Sequence, residues 1–249
     1  MIRSLAKKCL RTFTNLRRLL IFFRSYRYFV KQTLTTEVRF SCTRSDLMPI
    51  LNEATSETDF DRHYIYHTAW AARVLARIKP KVHIDISSSL FFATIASAFQ
   101  TIDFYDYRPP KLELSNLTTK NCDLLALPFA NASVQSLSCM HVVEHVGLGR
   151  YGDTLDYDGD LKAIAELERV LRKNGDLLFV VPLGQPRIMF NAHRIYSYEQ
   201  VISYFPGFRL KEFALIPDSA SAGGLISGAS MQLANAQTYG CGCFWLQKK

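Results

Sequence analysis

The sequence has no cysteine framework, no long apolar run near its N-terminus and no internal repeat. Its 249 residues include six cysteines but no C-x-x-C pair and no regular cysteine spacing, so no disulfide framework is encoded and a reducing cytoplasm suits the chain. Long apolar runs are absent near the N-terminus, where the longest is Leu19 to Phe23. A bilayer span needs about 20 such residues, so no transmembrane helix is expected there. Arg17, Arg18, Arg24 and Arg27 interrupt the stretch that a secretory signal would keep apolar. Internal repeats and low-complexity tracts are missing too. Acidic residues are missing from positions 1–36, which hold nine Lys or Arg, whereas positions 37–249 hold 21 basic and 22 acidic residues. The net charge of +8 therefore belongs to an N-terminal arm, and the body sits near −1.

In that arm Leu10, Phe13, Leu16, Leu20 and Phe23 recur at three- or four-residue steps, with Arg3, Lys7, Arg11 and Arg18 on the other sides. The pattern predicts a basic amphipathic helix over 1–36. Residues 1–35 are expected to make peripheral contact with an anionic membrane face, where each basic residue contributes about 1 kcal/mol. A transit peptide, a partner-binding helix and a solvated arm are the competing readings. Nucleic acid is not an expected partner, because the positive charge does not continue into the body.

The body, 37–249, is 48% hydrophobic like the chain as a whole and alternates helical with strand-like segments. A helix is predicted over Thr68–Ile78, closed by Lys79 and Pro80, followed by a strand over Val82–Ile86 and a helix over Leu90–Phe99. Further strands are read at Thr101–Tyr105, Leu124–Leu127, Val134–Met140 and Leu177–Val181, the last ended by Pro182. Between the last two lies a helix over Gly159–Lys173, stopped by Asn174-Gly175. Ser197 to Gln200 form a capping box for a helix to Tyr204, and strands near Arg209–Ile216 and Cys241–Leu246 close the domain. Ser219–Gln237 is small and polar and reads as a mobile loop. Such alternation predicts a doubly wound α/β fold with a mostly parallel sheet, which binds ligands at the carboxyl ends of its strands.

Asp85, Asp106, Asp123 and His141 all fall at those ends. An adenosyl cofactor in this fold is held by a tight turn after the first strand and by a carboxylate after the second, about 20 residues on. Asp106 lies 21 residues after Asp85. Asp123, or the backbone of Leu124 beside it, would face the adenine, and Tyr107 and His141 complete the expected cofactor wall. The turn after Asp85 reads Ile86-Ser87-Ser88-Ser89 and lacks a glycine, although its backbone normally comes close to the ligand and favours positive φ. Either the hydroxyls of Ser87 and Ser88 bond the cofactor's carboxylate, or the pocket is degenerate.

His141-Val142-Val143-Glu144-His145 matches the H-x-x-E-H pattern of inverted zinc peptidases, but it follows a strand and runs into Gly147-Leu148-Gly149, where no helix can hold both histidines on one face. No metal site is therefore assigned. Asp156 to Asp160 lack the glycine and glutamate of an EF-hand, and Asp158 or Asp160 reads as a helix N-cap. A divalent ion shared by Asp153, Asp156 and Asp158 stays open. Gly147 to Asp153 pack three glycines beside Arg150, Tyr151 and Asp153, which reads as an acceptor loop. Glu144, Arg150, Tyr151, Asp153 and Arg194 are the candidate acceptor contacts, with His145 or His193 as general base.

Taken together, these residues resemble the class I methyltransferase superfamily, which uses S-adenosylmethionine on a seven-stranded Rossmann-like sheet. Asp123 to Phe129 and Ser136 to His145 resemble its third and fourth motifs. A narrower likeness rests on Asp61-Arg62-His63-Tyr64, Ala69-Trp70, Asp103 to Pro109, Gly147 to Asp153 and Phe190 to Arg194. These resemble the family called domain of unknown function 268, over about residues 55–220. The likeness implies a Rossmann-like three-layer sandwich with Asp85, Asp106 and Asp123 at cofactor positions; the family's glycine in the first motif stands here as Ser87. Bacterial members that look linked to surface polysaccharides imply a glycan hydroxyl as methyl acceptor. The expectation is a cytoplasmic S-adenosylmethionine-dependent methyltransferase at the inner membrane face. The alternative is a non-catalytic member that keeps the fold as a binding or scaffold part.

Overall fold

A computed structural model describes the backbone of residues 2–33 and 39–249, and the side chains of 15–32 and 39–249. The chain divides into two compact units between Phe60 and Asp61; the boundary expected at 36/37 lies outside the described residues. The first unit holds one long helix, α1 (Ile2–Thr33), with no acid in its first turn. Leu16, Leu20, Ile21 and Phe23 are exposed on it, while the side chains of Arg3, Lys7, Leu10, Arg11 and Phe13 lie outside the described set. Among the described residues no helix is long and apolar enough to cross a membrane.

The second unit runs α2 (Arg62–Ile78), β1 (His83–Ile86), α3 (Leu90–Ala96), β2 (Ile102–Asp106), β3 (Leu117–Asn121) and β4 (Val134–Met140). It continues through α4 (Gly159–Val170), β5 (Leu171–Leu183), β6 (Arg187–Met189), β7 (His193–Ile195), α5 (Tyr198–Tyr204), β8 (Phe208–Ile216), β9 (Ile226–Ser227), α6 (Met231–Asn235) and β10 (Gly240–Lys248). The main sheet has the order β3-β2-β1-β4-β5-β10-β8-β9. β1 to β5 are parallel, and β10 runs antiparallel between β5 and β8. The fold is thus an α/β Rossmann-like sandwich whose main sheet has the seven expected strands plus β9, a two-residue edge strand, while β6 and β7 pair antiparallel in a sheet of their own.

Side-chain alternation builds the two faces of the sheet. Leu177, Phe179, Val181 and Leu183 of β5 pack with Ala163, Ile164, Leu167 and Val170 of α4 in one core. Leu178 and Val180 point the other way, into a core shared with Trp70, Val74 and Leu75 of α2 and Phe92 of α3. Each such buried side chain contributes about 1.5–3 kcal/mol relative to exposure, so both layers are held by their apolar stripes. α2 begins where Asp61 accepts a hydrogen bond from Tyr64 N at 3.1 Å, and it ends at Lys79 in the left-handed conformation.

Four expectations need correcting. The third strand is Leu117–Asn121, not Leu124–Leu127. It is an edge strand with only Leu117 buried, so it carries almost no apolar signal, whereas Leu124 and Leu127 are buried from a turn closed by Ala126 N to Asp123 O. Asn174-Gly175 does not stop α4: the helix ends at Val170, and the pair sits inside β5 where the register slips against β4. Pro182 does not end β5 but pairs with Cys241 on β10. β4 has ended opposite Val180, and beyond it Tyr196 N donates to Pro182 O at 3.0 Å, so this edge of β5 uses the proline carbonyl as an acceptor and tolerates the missing N–H. Finally, Ser219–Gln237 is not a bare loop, since it contains β9 and α6, the latter capped by Ser230.

Candidate functional site

At the carboxyl ends of β1, β2, β3 and β4 a cleft of about 560 Å³ opens, lined among others by Ser87, Asp106, Tyr107, Asp123, Leu124, His141 and His145. It lies where the strand order reverses around β1 and β4, the position at which open α/β sheets take ligands.

The turn after β1 is stitched from both sides. Ser87 N donates to Tyr105 O at 2.8 Å, and Ser88 Oγ accepts from Met140 N at 3.2 Å. Asp85 accepts from Ser88 N at 3.0 Å and from Ser138 Oγ. Asp85 and Ser88 are buried and do not line the cleft; they shape the turn and are not ligand contacts, which corrects their expected role. Ser87 does line it, and its φ of 53° is the left-handed value that the glycine argument anticipated. Burial pushes the Asp85 carboxyl up to about 7, against the lowering effect of its hydrogen bonds from Ser138 and Ser88.

Asp106 closes β2 with Oδ1 accepting from Arg108 N at 2.7 Å, while Oδ2 has no partner among the described residues. Asp123 is exposed, its Oδ1 taking Leu125 N at 2.8 Å. The N–H of Leu124 makes no backbone bond in this turn. An unpaired carboxylate oxygen and a free amide thus face one cavity, whose volume is within the range of about 300–1,000 Å³ typical of ligand pockets. The donor set fits an adenosyl group: Asp106 for the ribose hydroxyls, and Asp123 and Leu124 for the adenine edge. Tyr107 and Tyr151 are exposed at the rim, and the guanidinium groups of Arg108 and Arg150 lie 5.5 and 5.2 Å from the Tyr151 ring centre.

The candidate acceptor residues separate. His145 lines the cleft, its Nδ1 2.6 Å from Ala192 O. His193 does not line it; its ring packs 6.4 Å from that of His145 and 4.9 Å from that of Tyr239. Burial lowers the pKa of both, so each is neutral near pH 7. Asp153 turns its carboxylate inward, accepting from the N–H groups of Gly147, Gly149 and Tyr151. Asp156 pairs with Lys162. The divalent-ion reading of Asp153, Asp156 and Asp158 therefore lapses, because two of the three carboxylates are already engaged. Arg150 lies outside the cleft lining and donates to Ala192 O at 3.1 Å.

Two more acceptor contacts are corrected. Arg194 is buried, donating to Val146 O at 2.7 Å and Tyr157 O at 2.9 Å and pairing with Asp160 at 3.4 Å. Its planar fork holds the loop after β4 in place and is not free for a ligand. Glu144 is also buried and bonds His141 Nδ1 at 2.8 Å; burial pushes its carboxyl up to about 7. His141 and His145 do not converge as in a zinc peptidase, since one turns to Glu144 and Cys241 and the other to Ala192. Sequence reasoning missed Arg108, Leu125, Val142 and Leu155 on the cleft wall. Arg108 had a signal in its place two residues after Asp106, and Leu125 and Val142 had one in the motif-like runs that hold them; Leu155 had none.

Residues 126–216 match the model of a family described as Caenorhabditis protein of unknown function, DUF268. The chain is similar in fold to the solved Burkholderia thailandensis 1,6-didemethyltoxoflavin-N1-methyltransferase with bound 1,6-didemethyltoxoflavin and S-adenosylhomocysteine. The TM-score is 0.50 at 11% identity, covering 74% of this chain and 78% of that one. It is also similar to the N-methyltransferase NodS from Bradyrhizobium japonicum WM9 in complex with S-adenosylhomocysteine, with TM-score 0.47 and 12% identity over 72% of this chain and 86% of that one. No curated protein matches the chain. The chain thus resembles the DUF268 family and has the class I methyltransferase-like fold.

Proposed function

We propose that this protein is an S-adenosylmethionine-dependent methyltransferase acting on a hydroxyl acceptor, with a glycan or glycan precursor as the acceptor class. The observation that carries the reading is the convergence of Ser87, Asp106, Asp123 and Leu124, from the ends of three successive strands, on one cleft. The bound cofactor supplies a methyl group on a sulfonium centre. What the chain contributes is placement: Asp106 and Leu124 fix the nucleoside, Ser87 limits how near the turn approaches, and His145, neutral at the cleft wall, takes the acceptor proton. Positioning of this kind supplies much of the rate of a displacement reaction. What favours the glycan class is the pair of exposed rings, Tyr107 and Tyr151, at the rim, flat apolar faces on which a sugar ring can pack.

A second reading, a binding or scaffold protein without turnover, is favoured by one observation: a serine Cβ occupies the left-handed position of the turn that faces the cleft. Calorimetric titration of S-adenosylmethionine and S-adenosylhomocysteine into the full chain tests the first. Micromolar binding, about −8 kcal/mol, that weakens at least tenfold in Asp106→Ala supports it. No binding at millimolar ligand to folded protein overturns it. Binding without turnover on any hydroxylated acceptor favours the scaffold. The arm α1, with exposed Leu16, Leu20, Ile21 and Phe23 and no acid in its first turn, supports docking at an anionic membrane. Flotation with phosphatidylserine vesicles, but not with phosphatidylcholine vesicles, is the expected result.

A further inference from the structure

Behind the inner wall of the cleft, side chains from three distant segments converge. His63 in the first turn of α2, His141 after β4 and Cys241 on β10 each bring one ligand atom within 4.8 Å of the others. Cys241 Sγ lies 3.3 Å from His141 Nε2. On the far side of the ring, His141 Nδ1 lies 2.8 Å from Glu144 Oε1. When Glu144 is ionised, Nδ1 is the donor of the bond between them and the Nε2 lone pair points at the sulfur. Carboxylate, imidazole, then an open nitrogen is the order found around metal-bound histidines.

Two buried atoms nearby have no hydrogen-bond partner: His67 Nε2 and Glu144 Oε2. His67 is fully buried, its Nδ1 is 2.6 Å from His63 O, and its ring packs 5.0 Å from that of His141. Polar atoms this deep are almost always satisfied, so each one left bare calls for an unseen partner.

A Cys241–His141–Glu144 sequence also has the order of a nucleophile, its base and an orienting acid. Cys241 is fully buried and absent from the cleft lining, so no substrate carbonyl reaches it. A ligand role needs no such access.

We propose that His63, His141 and Cys241 bind a zinc ion, with Glu144 orienting His141 and a water in the fourth position hydrogen-bonded to His67 Nε2. One thiolate with two imidazoles suits zinc, whose bonds of about 2.0–2.1 Å to nitrogen and 2.3 Å to sulfur put tetrahedral ligand atoms about 3.3–3.7 Å apart. Closing from the present separation takes small side-chain rotations, and the thiol gives up its proton to solvent on binding. The inference stands apart from methyl transfer, since none of its distances depends on a cofactor.

The test strips the full chain with a chelator, reloads it with Zn²⁺ or Co²⁺ without any adenosyl ligand, and counts metal by mass spectrometry. About one ion per chain is expected, with a thiolate-to-cobalt charge-transfer band and the intense visible bands of tetrahedral cobalt. Cys241→Ser should remove the charge-transfer band, Glu144→Gln should weaken affinity about 10- to 100-fold, and Cys42→Ser, at an exposed thiol, should change neither. Folded protein that holds no stoichiometric metal overturns the proposal, as does a charge-transfer band that survives Cys241→Ser. Should Cys241→Ser fail to fold, His63→Ala at the partly exposed start of α2 decides: undiminished metal binding in that variant also overturns it. S-adenosylmethionine titration into the metal-free chain reports separately on the cofactor reading.

Discussion

Ser87 and His141 leave neighbouring parallel strands in the same left-handed backbone conformation, with φ of 53° and 57°, and both face the cleft. The chain turns away from the sheet at each strand end, and the space between the two turns becomes the ligand site. A left-handed conformation costs an ordinary L-residue about 1–2 kcal/mol, and neither position has a glycine to avoid that cost.

Ser87→Gly should therefore be nearly neutral, within about 1 kcal/mol, because relief of that strain is offset by the larger unfolded-state freedom of glycine. Ser87→Val, branched at Cβ, should lose about 2 kcal/mol or more. Urea unfolding of the two variants checks this; equal losses would show that the turn conformation is not what constrains the position.

The glycines of the acceptor loop should differ sharply. A Cβ on Gly147 would meet Asp156 O at 2.1 Å at φ +81°, whereas one on Gly152, at φ +85°, meets nothing within 4 Å. Gly152→Ala then costs only backbone strain, about 1 kcal/mol. Gly147→Ala also forces the Asp156 segment to move, so its loss should exceed that of Gly152→Ala by at least about 1–3 kcal/mol. Thermal melts read the difference.

Buried His83 and Asp85 should oppose each other in pH dependence. His83 sits between Ser136 Oγ at 2.7 Å and Ser138 Oγ at 2.9 Å, and Ser138 Oγ also donates to Asp85. Burial pushes His83 down to about 3, so its contribution is lost as pH falls below about 6.5. Burial pushes Asp85 up to about 7, so its contribution is present at low pH and lost as pH rises from about 4 through 7. Between pH 4.5 and 6.5 the two slopes cancel. Asp85→Asn removes one of them, and stability should then fall on acidification through that window by about 2 kcal/mol more than in the parent. A variant profile parallel to the parent's would show that Asp85 is ionised in the folded protein across the window.

Arg194 and Arg150 should part in the same way. Arg194→Lys keeps the charge but loses the fork that serves Val146 O, Tyr157 O and Asp160, so a stability loss of about 3 kcal/mol is expected. Arg150→Ala, at an exposed side chain, should stay within about 0.5 kcal/mol. Comparable stabilities would show that the Arg194 fork is not what holds the loop after β4.

Residue pattern was enough to read the layered fold and the strand ends that carry polar residues. Val134–Met140 was legible because six of its seven residues are buried and β4 is central in the sheet. Asp106 and Asp123 were legible because a parallel sheet puts residues after its strands on one edge whatever the loops do. Leu117–Asn121 was not, since an edge strand buries too little to leave a period in the sequence. Which candidate side chains face the cleft depends on packing between distant segments: Asp85, Glu144 and Arg194 turn inward among buried groups, and His145 lines the wall while His193 packs behind it. Such packing also brought together His63, His141 and Cys241, which are 78 and 100 residues apart. No local pattern can encode such a meeting, because it is set by the packing of α2 across the ends of β4 and β10.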